Sequence, residues 1–322
     1  MSIDIALKLA AALAGVLAIL SIFPGPSWPI KIRILIVFLL GMVVLGVFAW
    51  PLVAPAEPFG IVSMPGFTPS LIIIVLAIAV GFAGYFVTWP YGTYMGVIAV
   101  PAGTVVWAVR SGQISNQFIS ADVNQRMEIF HSLQGESFFW LLVVAAGLVG
   151  VLIARLILKP HKHIEVDDAG EKPRLSTPVN AAVALFASVV ISFVIIILLA
   201  QNVKLPDARL GNVIAQPSNG QIGFAVFTAF AAASFLTKKF LDTSYIYPAV
   251  SSALVSFLGI VVFSRKEITE HITSSWPANF FANPIVTILP VQMVSFGVLG
   301  AIAGFWLVES LEIWRNLERQ AQ

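Results

Sequence analysis

The 322-residue chain has no cysteine, which removes disulfides, thiol catalysis and thiolate metal sites together. It also has little charge. Asp, Glu, Lys and Arg fill 11% of positions against 58% hydrophobic ones, whereas a soluble domain carries roughly 25% charge. A soluble fold of this composition could not cover its own core. The net charge is +2, and no basic run is present to engage nucleic acid, so none is expected as a partner. Motifs are missing as well: there is no GxSxG, HExxH, phosphate-binding glycine loop, CxxC or haem signature. No catalytic residue, metal or cofactor is therefore expected, and the chain does not read as an enzyme.

What is present is a series of long apolar runs. A helix needs about 20 such residues to cross a hydrocarbon core of about 30 Å. Nine stretches meet or approach that length: 5–23, 34–53, 70–88, 93–109, 138–158, 180–200, 222–237, 245–263 and 285–308. The chain is thus expected to be an all-α integral membrane protein of about nine transmembrane helices, with the lipid bilayer as its first partner. The run at 5–23 reads as a retained span. Its leader, Met1-Ser2-Ile3-Asp4, has no basic cluster, and Phe23-Pro24-Gly25-Pro26 is a poor cleavage site. Trp50, Trp89, Trp107, Trp140 and Trp306 fall at or near span ends, as expected for indoles at the headgroup level.

Lys and Arg in the connections set the expected orientation. With the N-terminus outside, eleven basic residues lie inside and seven outside, much of the bias coming from the 155–174 connection. The expectation is a multi-pass protein of the inner or plasma membrane, with the N-terminus outside and the C-terminus cytoplasmic.

Spans two to five and six to nine read as two copies of one unit, with span starts about 146 to 152 positions apart. Phe86-Val87-Thr88 matches Phe235-Leu236-Thr237 at the short turn of each copy. The expected organisation is an N-terminal span (1–30), a first four-helix unit (31–158), a charged cytoplasmic linker (159–179), and a second unit with a short tail (180–322). A shift of four spans keeps direction, so the repeats would be parallel. Two polar connections carry helical patterns. In Gln117–Leu133, Ile119, Val123, Met127, Phe130 and Leu133 oppose Asn124, Gln125 and Glu128. Ser264–Pro284 carries Ile268, Ile272, Trp276, Phe280 and Phe281. Both are expected in the interface.

No ionisable residue falls near the middle of a proposed span. A charge there costs about 2.5–3.5 kcal/mol on the lenient scale, so its absence counts against proton pumps, ion-coupled transporters and many intramembrane enzymes. The polar residues that do enter spans are mild. If a substrate site exists at the junction of the two units, its lining is expected from Pro101, Thr104, Pro248, Ser251, Ser252 and Gln292. Pro101, Pro248 and Pro290 each remove a helical hydrogen bond and are expected to kink their spans. The competing expectation is that the hydroxyls and Gln292 join helices. Gly92/Gly96 and Gly300/Gly304 mark close helix contacts, within the chain or between copies. His161, His163, Glu165, Asp167 and Asp168 form a loose ligand-rich cluster, read as a solvated linker; His131 and His271 define no site. Two functions follow: a transporter or channel-like protein for a neutral or apolar solute, or a non-catalytic structural or accessory subunit of a larger membrane complex. Homo-oligomers or membrane-complex partners fit either.

Overall fold

The computed structural model describes residues 28–57, 60–118, 121–158, 177–201, 203–207, 211–274 and 281–321. Eight of its helical segments are long and apolar enough to cross a membrane. The chain is a multi-span, membrane-embedded α-helical protein. The expected first span and the His161–Asp168 cluster lie outside the described residues.

The first half begins with α1 (Trp28–Gly41), which continues as a π-helical stretch, Met42–Phe48. Next come α2 (Phe67–Val87) and α3 (Ala99–Arg110), the latter led in by a short helix at Gly92–Met95 and a 3-10 turn at Gly96–Ile98. A connecting helix, α4 (Val123–Gln134), precedes α5 (Glu136–Ile157). The second half has α6 (Thr177–Leu199), α7 (Asn219–Leu241), α8 (Ile246–Phe263), connecting helix α9 (Lys266–Ser274) and α10 (Pro290–Ala321). One connection is not the irregular loop that its Pro and Gly content suggests. Val203–Asp207 pairs antiparallel with Gly211–Ala215 as a two-stranded ribbon.

The prolines correct the expected kinks. Pro290 opens α10, and Pro248 is the third residue of α8. An N–H in a first turn has no intrahelical acceptor, so its loss breaks nothing there. Pro101 is also third in its α-helix but has helical turns before it, and the chain tightens to 3-10 geometry just upstream.

Small residues set the two most extensive helix contacts. A Cβ on Gly150 of α5 would lie 2.0 Å from the Ile78 carbonyl oxygen and 2.9 Å from the Phe82 nitrogen of α2. A Cβ on Gly300 of α10 would lie 2.3 Å from the Phe227 oxygen and 3.1 Å from the Ala231 nitrogen of α7. Each glycine therefore lets one helix rest on the backbone of another, with the same i and i+4 atoms approached in both pairs. Gly304 repeats the contact one turn on, against the Ala231 oxygen. The two GxxxG pairs thus serve contacts inside the chain, since Gly92 and Gly96 rest on Tyr85.

The helices leave two unlike ends. The turn face holds the short connections near 88–91 and 242–245. There Arg33 donates to the Trp89 carbonyl, and Asn180 Nδ2 donates to the Leu241 carbonyl at 2.9 Å. The loop face holds α4, α9 and the ribbon. On α4, Asp122 and Gln125 form a reciprocal capping box, Phe130 and Leu133 are buried, and Asn124, Gln125 and Glu128 are exposed, matching the amphipathic pattern. Its matching segment holds Phe281 buried; Trp276 and Phe280 are outside the described residues.

Candidate functional site at the junction of the halves

Helices α3 and α10 form the centre of the molecule, and α10 also packs on α5. The six residues expected at this junction are all placed. Thr104 Oγ1 donates to the Pro101 carbonyl at 3.1 Å, and Ser251 Oγ donates to the Pro248 carbonyl at 2.7 Å. In both helices a hydroxyl three residues after proline bonds that proline's own carbonyl. Ser252 Oγ donates to the Ala249 carbonyl at 2.6 Å. All three hydroxyl residues are buried, and each directs its proton to its own helix. An analogous pair sits at the turns: Thr88 Oγ1 donates to Gly84 O at 2.7 Å, and Thr237 Oγ1 to Ala233 O at 2.9 Å.

Gln292 does something different. Its Oε1 accepts from the Leu289 N–H at 3.1 Å, capping the start of α10. Its Nε2 donates to the Ala108 carbonyl of α3 and to Asn219 Oδ1 of α7, both at 3.3 Å. Gln292 therefore ties three helices, two in the second half and one in the first, while 1% exposed. Asn219 extends the seam by donating through Nδ2 to the Ser111 carbonyl at 3.0 Å and the Val109 carbonyl at 3.3 Å. Gln216 continues it: its Oε1 accepts from Ser115 N at 3.0 Å, and its Nε2 donates to the Thr287 carbonyl at 2.7 Å. Deeper in the bundle, Ser137 Oγ of α5 donates to Ser256 Oγ of α8 at 2.8 Å. Sequence reasoning picked out Gln292 but missed Asn219, Gln216 and Ser111. Asn219 and Gln216 bond backbone groups about 70 to 110 positions away, and Ser111 accepts from Asn219 and from the Val62 N–H, which no local pattern reveals.

Two of the tryptophans near span ends are enclosed by protein. Trp107 and Trp140 are buried, with ring centroids 5.9 Å apart, and the Trp107 indole donates to the Leu45 carbonyl at 2.9 Å. The loop-face layer above them extends the protein interior past the point where the apolar runs end. Glu136 begins α5 in this layer, buried at 4% exposed, with the Met64 N–H donating to its carboxylate. The positive end of the helix dipole favours a carboxylate there. Arg126 is also buried, with Nη2 donating to the Phe118 carbonyl at 3.0 Å and its guanidinium over the Phe118 ring.

Among the described residues no group of three metal-ligating side chains occurs, and His131 and His271 are both exposed. A void of about 10 Å3 lies under the loop-face helices against Arg126 and Phe130, with room for about one water. An apolar groove of about 260 Å3 lies between α6 and α8. Neither is lined by any of the six junction residues. At Thr104, Ser251, Ser252 and Gln292 the arrangement satisfies polar groups and joins helices, while the buried Ser295 Oγ of α10 has no hydrogen-bond partner among the described residues. No family model, curated protein or solved structure matches this chain.

Proposed function

We propose that the chain is a non-catalytic structural or accessory subunit of a larger membrane assembly. One observation supports this reading: the four polar side chains expected at the junction, Thr104, Ser251, Ser252 and Gln292, are buried and bonded within the protein. Buried hydroxyls bond their own helices. Gln292 and Asn219 bond the two halves to each other. A path for a polar solute needs unspent donors or acceptors facing it, and at these residues they are already engaged; Ser295 Oγ of α10 is buried without a hydrogen-bond partner among the described residues.

We also infer that the halves are copies of one four-helix unit. The Gly150 and Gly300 contacts, the Thr88 and Thr237 bonds, and the Pro101–Thr104 and Pro248–Ser251 pairs support it. All recur at offsets of 147 to 150 positions. The turn face is inferred to be cytoplasmic: Lys31, Arg33, Arg155, Lys238 and Lys239 lie towards it, against Arg110, Arg126, Arg265 and Lys266 towards the loop face. The duplication favours transport as a second reading, because paired units commonly hold a site between them. On that reading the Gln292–Asn219 seam is a closed gate.

The deciding experiment is mild extraction from native membranes followed by crosslinking and mass determination. The expected result is a second membrane polypeptide at fixed stoichiometry. A chain that runs alone overturns the assembly reading. Solute flux through vesicles holding that lone chain would move the assignment to transport.

A further inference from the structure

Helix α6 is the least enclosed of the candidate spans, with 22% of its apolar window buried. It lies against α7 and α8, but its fit to α8 is incomplete. Val189 and Phe193 on α6 face Val255, Leu258, Gly259 and Val262 on α8 across the groove of about 260 Å3, and every lining residue is apolar. Gly259 is fixed there by a separate contact, since a Cβ on it would lie 2.3 Å from Ile285 Cγ2.

The groove runs along α8 from Val255 to Phe263, about 12 Å at 1.5 Å per residue, so its long axis follows the helix axis. In a membrane-spanning helix that direction is close to the run of lipid acyl chains. Its loop-face end reaches Phe263, where α8 stops. Two and three residues further on are Arg265 and Lys266, both exposed, the latter in a 3.7 Å surface ion pair with Glu270. An exposed pair of this kind holds its cation weakly. An apolar channel of acyl-chain orientation thus ends where the chain continues into Arg265 and Lys266, with Glu267 and Glu270 on the same segment.

We propose that this groove binds one acyl chain of an anionic phospholipid from the loop-face leaflet, with the lipid phosphate at Arg265 and Lys266. The groove supplies the chain contact and the basic pair selects the headgroup. A basic residue near the surface contributes about fivefold in affinity for an anionic lipid.

The test uses the full chain in detergent, with native mass spectrometry counting bound lipid after addition of phosphatidylglycerol or phosphatidylcholine of identical chains. Phosphatidylglycerol is expected to be retained at least fivefold better, and Arg265→Gln to lower that preference about fivefold. Val189→Trp, which fills the groove, is expected to reduce retention of both lipids, while Leu142→Trp on an exposed face of α5 leaves both unchanged. Equal retention of the two lipids by the unaltered chain would overturn the proposal, as would unchanged retention in Val189→Trp. A photo-reactive residue at Leu258 gives a second readout in native membranes. Capture of lipid is expected, and capture of a polypeptide would assign the groove to a protein partner instead.

Discussion

The first and third helices of each half meet in opposite ways. In the first half α1 and α3 approach until a Cβ on Gly41 would lie 1.7 Å from the Ala99 oxygen, and one on Gly103 would lie 2.6 Å from the Gly41 oxygen. In the second half α6 contains no glycine at all, and against α8 it leaves the apolar groove. Both pairs are apolar. The difference shows that in a bilayer apolar character alone does not close a helix pair. Lipid tails solvate Val and Phe as well as another helix does, so close packing has to be built from small residues.

The largest effect should come from breaking the closed pair. Gly41→Ala puts a methyl into the Ala99 backbone, which cannot rotate away as a side chain could. Overpacking of this kind costs about 1–3 kcal/mol, occasionally more, and Gly41→Ala should fall at the upper end in a reversible unfolding assay in detergent. Gly150→Ala and Gly300→Ala meet backbone oxygens at 2.0 and 2.3 Å, so they should lose slightly less and lose similar amounts. A large loss at one and none at the other would break the equivalence of the α2–α5 and α7–α10 contacts.

How much of this was legible follows the same physics. Hydropathy located every described span, because a run of apolar residues has no alternative in a membrane. It placed the ends beside Trp107 and Trp140 to within two residues, 109 against Arg110 and 138 against Glu136, but it did not show that both indoles are buried inside the protein. The amphipathic helix at Val123–Gln134 was readable from its spacing, but the burial of Arg126 was not, because its partners Phe118 and Ala121 are carbonyls. Of the six junction residues, the sequence could supply polarity and depth. It could not distinguish a hydroxyl facing solute from one turned back on its own helix, since that depends on a rotamer. The contrast between glycine-bearing α1 and glycine-free α6 is present in the sequence, but its meaning depends on which helices meet.

Gln292→Leu probes the join between the halves. The substitution leaves the Leu289 N–H and the Ala108 carbonyl without that partner, and Asn219 keeps its bonds to Val109 and Ser111. Removing one partner of a buried bond costs about 1–3 kcal/mol, reduced where the carbonyl retains its helical bond. The expected loss is about 1 kcal/mol, with protease sensitivity rising in the 110–116 and 216–219 segments that share the seam. Unchanged stability with new solute permeability would favour the gate reading over the structural one.

The smallest effect tests the likeness of the halves most finely. Thr88 and Thr237 are buried at the ends of α2 and α7, and each hydroxyl bonds the carbonyl four residues back and approaches the one three back. Neither bond joins two helices, so Ala at either position loses only a local contact while relieving the back-bonding that slightly disfavours a helix. Buried side-chain hydrogen bonds in membrane bundles average about 0.6 kcal/mol, and these two should fall at or below that value in paired unfolding measurements. The informative quantity is their difference. If the turns are copies, Thr88→Ala and Thr237→Ala should agree within about 0.3 kcal/mol and add in the double variant, since distant independent sites are additive to about that margin. A cost above about 1.5 kcal/mol at one turn alone would mean that its hydroxyl acts beyond its own helix, and the matching hydrogen bonds would then be a coincidence of sequence rather than a shared design.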